Sequence, residues 1–304
     1  MRLFILGNGF DLFHGLPTRY ADFMLFMRRR YPQVVEDYLL GIDRYSLPYF
    51  GQVAQMPQDI LWNDMERIFG SYEIWEMVEE HRDWNSPHDY TGPASERLHR
   101  ILHLPIRIHE FLTEWLQTLQ PQIQQTKPRP ALQRLFGAGE DLFLNFNYTT
   151  TLEDVYNIPS VCHLHGKLGE KLIMGHGQTL GRVYFDDQEY GVNAVNDRYV
   201  FRYFRNSYKN CKRIMQQHAA LFAPENLGAV SEIYIMGHSL NAIDLPYIRR
   251  LKRNCAKAAH WYILTRQNGQ EYAPLLRHIP LAKQRAHWQP WSIFQGNLLA
   301  YPHT

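Results

Sequence analysis

The chain has 304 residues, 45% of them apolar, and 32 Lys and Arg against 30 Asp and Glu for a net charge of +2, enough to bury a large core in one domain with an insertion or in two domains. That balance carries no polyanion-binding signature, so nucleic-acid binding is not implied, although 15 histidines add pH-dependent positive charge. Cys162, Cys211 and Cys255 are widely spaced and argue against a disulfide framework or zinc ribbon; the apolar start is too short for a signal peptide and no run approaches the ~18 residues that span a bilayer, so a soluble cytoplasmic protein without membrane contact is expected.

Leu3 to Leu6 form a short apolar run, as a buried parallel strand does, and Gly7 and Gly9 then permit a sharp turn. Gly7-Asn8-Gly9-Phe10-Asp11 is expected to form one wall of a nucleotide pocket, since ligands of open α/β sheets sit outside the carboxyl ends of the strands; Gly-rich strand-to-helix turns also arise for steric reasons alone. Thr18 is the expected N-cap of a helix carrying Tyr20, Phe23, Met24, Met27 and Tyr31, with Arg28 to Arg30 at its dipole-complementing end and Pro32 as the stop. A dehydrogenase-type fold would place a second strand and a ribose-binding acid about 20 residues after the glycines. A basic helix stands there instead, which argues against hydride transfer.

Residues 33–135 read as a helical insertion. Its stripes are Leu61, Met65, Ile68, Phe69, Tyr72 and Trp75, then Leu98, Ile101, Leu102, Ile108, Phe111, Leu112, Trp115 and Leu119, separated by loop signals at Trp84 to His88 and Thr91 to Pro93. Gln120-Pro121 to Arg129-Pro130 is expected to link back to the sheet. Strands are expected at Asp141 to Phe146, Val161 to Gly166, Leu172 to Gly177, Glu232 to Met236 and His260 to Thr265. A helix from Leu152 is capped by Thr150 or Thr151, residues 178–197 read as loop, a helix runs from about Asp197 to Phe222 with a solvated basic face, and Asp244 and Pro246 open another. The tail with Trp288, Trp291 and Phe294 reads as a packed segment or a subunit contact.

Four segments share one logic, an apolar strand running into Gly, Asn, His or Ser: GNGFD at 7, NFNYTTTLE at 145, HLHG at 163 and GHSLNAID at 237. A parallel sheet brings all four ends to one edge. Together with GNGFDLFHGLPTRYADF, FNYTTTLEDVY and IMGHG, these motifs resemble the AbiH family of bacterial phage abortive-infection proteins, itself similar to the sirtuin-type NAD-binding fold of defence NAD hydrolases. The resemblance runs from residue 4 to about 250. It implies a sirtuin-like, Rossmann-type parallel sheet, with residues 1–32 and 136–304 as the nucleotide-binding domain and 33–135 as the insertion.

Carried over by position, the resemblance makes Gly7, Asn8, Gly9, Phe10 and Asp11 the phosphate-binding loop, and Gly15-Leu16-Pro17 the turn after it. Asn147 takes the place of the asparagine set against the nicotinamide ribose and attacking water, His165 that of the catalytic histidine, and Gly237, Ser239 and Leu240 the turn that contacts the adenosine half. Thr18-Arg19-Tyr20 departs from the sirtuin pattern and zinc-binding cysteine pairs are absent, which argues against protein deacylation. No metal is expected. Asp11 either caps its helix or contacts the ligand.

The chemistry needs an oriented water and a base, because nicotinamide is a cationic leaving group and its glycosidic bond breaks through an oxocarbenium-like state. His165 and Asn147 suit those parts, though a strand-end histidine is also commonly structural and an asparagine there can simply make an Asx turn. His163 reads as structural, the spacing of His14, His176 and His238 does not demonstrate a metal site, and GHSLN lacks the second glycine of a serine-hydrolase elbow. The resemblance therefore implies a phage-defence effector that hydrolyses NAD to nicotinamide and ADP-ribose. Its alternatives are a non-catalytic sensor of NAD or ADP-ribose and a toxin acting on another nucleotide or a nucleic acid. A second copy of the chain, another defence protein or a phage-derived trigger are the partners it implies.

Overall fold

The apolar run that opens the chain is the central strand of a parallel sheet. A computed structural model describes residues 1–35, 66, 93–137, 140–177, 203, 205–265, 281 and 283–294. Its strands are β1 (Arg2–Leu6), β2 (Asp141–Asn145), β3 (Cys162–His163), β4 (Glu232–Met236), β5 (His260–Thr265) and β6 (Ala286–Pro290), lying in the order β3-β2-β1-β4-β5-β6. Every pairing is parallel. Helices α1 (Asn8–Phe13), α2 (Tyr20–Arg30), α3 (Pro93–Gln125), α4 (Pro130–Phe136), α5 (Thr151–Tyr156), α6 (Cys211–Gln217), α7 (Pro224–Leu227) and α8 (Leu245–Asn254) accompany it in a mixed α/β architecture consistent with a Rossmann-like fold. Among the described residues, no helix is long and apolar enough to cross a membrane.

Strand β1 is buried on both faces, with Leu3, Phe4, Ile5 and Leu6 all fully inaccessible, which is why it reads as a continuous apolar run instead of an alternating one. Register places Phe4 opposite Phe143 and Tyr234, and Tyr234 opposite Tyr262. The four rings stack across four strands at centroid distances of 5.1, 5.0 and 4.8 Å. At the start of the same strand, the Arg2 guanidinium donates to both Asp141 oxygens at 2.9 and 2.5 Å and to the Leu135 carbonyl at 2.7 Å. This fork satisfies a carboxylate that burial would otherwise penalise.

The chain divides into two compact units, one of Met1–Thr18, Leu116–Leu172 and Asn210–Thr304, the other of Arg19–Trp115 and Ile173–Lys209. The whole sheet lies in the first. Sequence reading draws the boundaries at residues 33 and 135 instead, leaving α2 and Ile173–Lys209 with the sheet. The apolar stripe from Leu61 to Trp75, the loop at Trp84 to His88 and residues 178–197 lie outside the described residues.

The structure corrects four expectations. Arg19, not Thr18, is the N-cap of α2, its N–H donating to Asp22 at 2.9 Å. Gln120 to Gln125 is no linker but the end of α3, and Pro130, with its preset φ and missing N–H, opens α4. Leu172 to Gly177 is not a strand; only His176 bridges, to Tyr208, with His176 N–H donating to the Ser207 carbonyl and Lys209 N–H to the His176 carbonyl, each at 2.8 Å. That bridge also interrupts the helix expected from Asp197 to Phe222: Tyr203, Arg205 and Asn206 are helical, the chain leaves the helix at Ser207, and a separate helix runs from Cys211 to Gln217 behind an Asn210 cap accepting from the Arg213 N–H at 3.0 Å, while residues 197–202 lie outside the described residues. The second unit holds a buried ion pair beside this bridge, Lys209 Nζ to Glu66 Oε1 at 2.7 Å.

Candidate functional site

Strand order reverses between β1 and β4, and the turns that leave these two strands cross there in contact. Gly7 N–H donates to the Met236 carbonyl at 3.0 Å, Gly9 N–H to the Gly237 carbonyl at 2.9 Å, and Phe10 N–H to the Gly7 carbonyl at 2.8 Å. A Cβ on Gly7 would lie 2.5 Å from the His238 Cα, and one on Gly9 2.6 Å from the Gly237 Cα. The glycines are thus required by a backbone crossing, and three N–H groups of the expected phosphate loop already serve protein carbonyls. Asn8 is half-buried and Phe10 is core, its ring 4.6 Å from that of His14.

Asp11 does not cap α1, whose N-cap is Gly7. Its carboxylate is buried and accepts from the hydroxyls of Thr149 at 2.6 Å and Thr151 at 2.7 Å, fastening α1 to the turn after β2. Burial pushes its pKa up to about 6, against the opposing pull of the two hydroxyls and of His163. Thr150 is the N-cap of α5, but its hydroxyl turns to Asp154 at 2.7 Å. His14 is held by the Phe10 carbonyl at 2.8 Å and the Tyr156 hydroxyl at 2.5 Å, and burial lowers its pKa to about 4, so it stays neutral at pH 7.

Asn147 buckles β2 to β1: its Nδ2 donates to the Gly7 carbonyl at 3.0 Å, while its N–H donates to Asn145 Oδ1 at 3.0 Å in an Asx turn. Removing one buried, satisfied amide leaves the Gly7 carbonyl without that donor. Asn147→Ala is therefore expected to lower unfolding free energy by about 1–2 kcal/mol in urea titration. His163 sits beneath, with Nδ1 3.0 Å from the Asn147 carbonyl and Nε2 2.9 Å from Glu153 Oε1, which also pairs with Lys167 at 3.0 Å. Burial would raise the Glu153 pKa, but its bonds with His163 and Lys167 outweigh that and hold it down. His163 has the structural place expected of it.

His165 lies beyond the end of β3, in a turn closed by Gly166 at φ +76. Edge-on contact with Phe146 sets its ring 5.4 Å away, Tyr247 stands at 5.8 Å, and its Nε2 is 3.9 Å from Asp244 Oδ1. His238, whose ring lies 4.2 Å from that of Phe146, places its Nε2 3.4 Å from Asp244 Oδ2. All three polar groups are buried. Leu240 is held at φ +53, in the left-handed region, by its N–H donating to His238 Nδ1 at 2.9 Å, and the Ser239 hydroxyl accepts from Asn241 Nδ2 at 3.4 Å. Among the described residues, no group of three or more His, Cys, Asp or Glu could hold a metal ion.

The expected site residues therefore all lie on one edge of the sheet, but with different surroundings. The Gly7 to Asp11 loop and Gly237 meet in the crossing, Asn147 is tied to that crossing, and His165 belongs to a neighbouring cluster with His238 and Asp244. Sequence reading places Asp244 only in the first turn of a helix. The signal available for its place is an acid shortly after the strand-end histidine in GHSLNAID.

No curated protein and no solved structure matches the chain significantly. The family model described as bacteriophage abortive infection AbiH matches residues 3–265, from within β1 to the last residue of β5 and through all four strand-end motifs. By that match, the chain belongs to the AbiH family of bacteriophage abortive infection proteins.

Proposed function

We propose that this abortive-infection protein binds NAD in a sirtuin-like manner at the carboxyl edge of its sheet and hydrolyses it to nicotinamide and ADP-ribose. The observation that carries the reading is the strand order β3-β2-β1-β4-β5-β6, all parallel, with polar turns leaving β1, β2, β3 and β4 on either side of the reversal where dinucleotides bind in folds of this order. Leu240 adds support, since a bulky residue at φ +53 costs roughly 1–2 kcal/mol and such strain concentrates at ligand clamps.

In this reading the Gly7 to Asp11 turn and Gly237, Ser239 and Leu240 border the dinucleotide. Asn147 presents its amide beside the nicotinamide ribose, and His165 takes a proton from the attacking water. Water oxygen bonds to the ribose C1′ as the C–N bond breaks; the electron pair stays on nicotinamide, which leaves neutral, and the water proton passes to His165 and then to solvent. The aromatic walls Phe146 and Tyr247 keep competing water from the imidazole.

Purified protein incubated with NAD is expected to release nicotinamide, and His165→Ala to release it at least ~100-fold more slowly. Asn147→Asp, which keeps the side chain's size, is expected to fall below wild type as well. Equal rates in the variants would remove both roles. Saturable NAD binding without turnover by wild type would assign the same edge to sensing.

A further inference from the structure

The chain's net charge of +2 hides a local excess of cations. Helix α6 reads CKRIMQQ and α8 LPYIRRLKRN, so together they hold Lys212, Arg213, Arg249, Arg250, Lys252 and Arg253 and no acidic residue. The two helices lie alongside each other in the first unit. The Cys211 thiol, at the start of α6, is 3.6 Å from the Ile243 carbonyl just ahead of α8, and Asn254 Nδ2, at the end of α8, donates to the Phe222 carbonyl at 2.8 Å. Glu225, exposed in α7, which touches α8, is the acidic group to set against them.

Leu245, Tyr247, Ile248 and Leu251 turn the apolar face of α8 into the core. At ~3.6 residues per turn, Arg249, Arg250 and Arg253 fall within about 100° of one another on the opposite side, where Arg249 and Arg253 are exposed and Arg250 is half-buried. Lys212 and Arg213 are exposed as well. Among the described residues, the side chains of these five cations form no ion pair or hydrogen bond. Complementing the helix dipole accounts for Lys252 and Arg253 in the last turn, but not for Arg249 and Arg250 before it.

Clustered guanidinium groups without carboxylate partners repel one another until an anion neutralises them, and their planar donors suit phosphate. A membrane-surface helix turns its apolar face to the lipid, whereas α8 buries its own in the core. Single strands are held on aromatic platforms, but among the described residues the exposed large hydrophobic side chain is Leu25, in the other unit. A cationic helix face fits the phosphate rims of the B-DNA major groove, about 12 Å wide, while the deep, narrow groove of A-form RNA does not admit it. We propose that α8, flanked by α6, is a docking surface for double-stranded DNA, with Arg249, Arg250 and Arg253 on backbone phosphates and no base sequence read. This goes beyond NAD cleavage and does not depend on it.

The test is fluorescence anisotropy of the full chain with a labelled mixed-sequence DNA duplex at ~50 and ~200 mM salt. Three phosphates engaged give a log–log salt slope of about −2.7 or steeper, so wild-type affinity is expected to fall at least ~40-fold over that range. The triple variant Arg249→Gln, Arg250→Gln, Arg253→Gln is expected to bind at least ~10-fold more weakly at the lower salt, with a slope shallower by about 2.7. Replacement of the same three by Lys should keep most of both. No binding by wild type at ~50 mM salt, or a folded triple Gln variant with unchanged affinity and slope, overturns the proposal. Equal or tighter binding of single-stranded DNA or duplex RNA of the same sequence overturns it too. Binding to phosphatidylserine vesicles without binding to DNA would assign the surface to lipid instead. Should the triple variant not fold, Arg249→Gln and Arg253→Gln decide singly: each is expected to make the slope shallower by about 0.9, and an unchanged slope in both overturns the proposal. Nicotinamide release enters none of these readouts, so failure of the NAD reading and failure of this one are seen separately.

Discussion

Gly237→Ala is expected to lower unfolding free energy by about 3 kcal/mol or more, measured by urea denaturation, and to leave little folded protein. Two costs combine. Gly237 lies at φ +71, where an alanine pays roughly 1–2 kcal/mol. Its new Cβ would also be driven into the Phe10 amide nitrogen and the Gly9 backbone, well inside van der Waals contact, and rigid backbone on both sides cannot give way as a flexible side chain does. Gly15→Ala separates these terms, because Gly15 has a similar φ of +79 but nothing within 4 Å of the added methyl. It should lose only about 1–2 kcal/mol. Equal losses in the two variants would mean that the crossing of the β1 and β4 turns is not what requires glycine.

The second large effect depends on pH and belongs to Asp11. Its folded pKa of about 6 lies above the ordinary 3.8 because burial disfavours the charge more than the two threonine hydroxyls and His163 favour it. The folded protein therefore binds this proton more tightly than the unfolded chain. The associated stabilisation is fully present below about pH 4 and is lost as pH rises through about 6. The difference between the two values corresponds to about 3 kcal/mol. Asp11→Asn cannot ionise, so relative to wild type it should gain about that much stability between about pH 4 and about pH 8. A gap between the two proteins that does not change with pH would contradict this account of the Asp11 network.

Much of the sheet was legible because parallel strands buried on both faces leave an unmistakable mark. RLFIL, DLFLN, EIYIM and HWYILT are apolar over nearly their whole length; the last two have the expected bounds, and the first two differ from them by one residue at one end. Strand β6 was not legible: AHWQP is half-buried, pairs on one side only among the described residues and ends in a proline, as an edge strand can. The helix expected through residues 207–210 failed for a different reason. Apolar spacing there satisfies helical periodicity, but Ser207 and Lys209 give their backbone groups to His176, a long-range pairing that no local pattern announces.

The site divides in the same way. Strand-end glycines, Asn147 and His165 stand out by residue type and position, whereas their partners are chosen by the fold. Thr149 and Thr151 read as a turn and a cap, yet they hold Asp11 across 138 and 140 residues of sequence. Asp244 reads as an ordinary helix-opening acid and instead faces His165 and His238. A glycine pattern alone likewise does not distinguish a phosphate cradle from two backbones crossing.

Incubation of the purified wild-type chain with NAD, followed continuously by proton NMR, tests the central claim most directly. The account predicts that the NAD signals decay while free nicotinamide and ADP-ribose rise together in equal amounts. NAD that stays intact, or that is cut at its diphosphate with nicotinamide still attached to ribose, would contradict it.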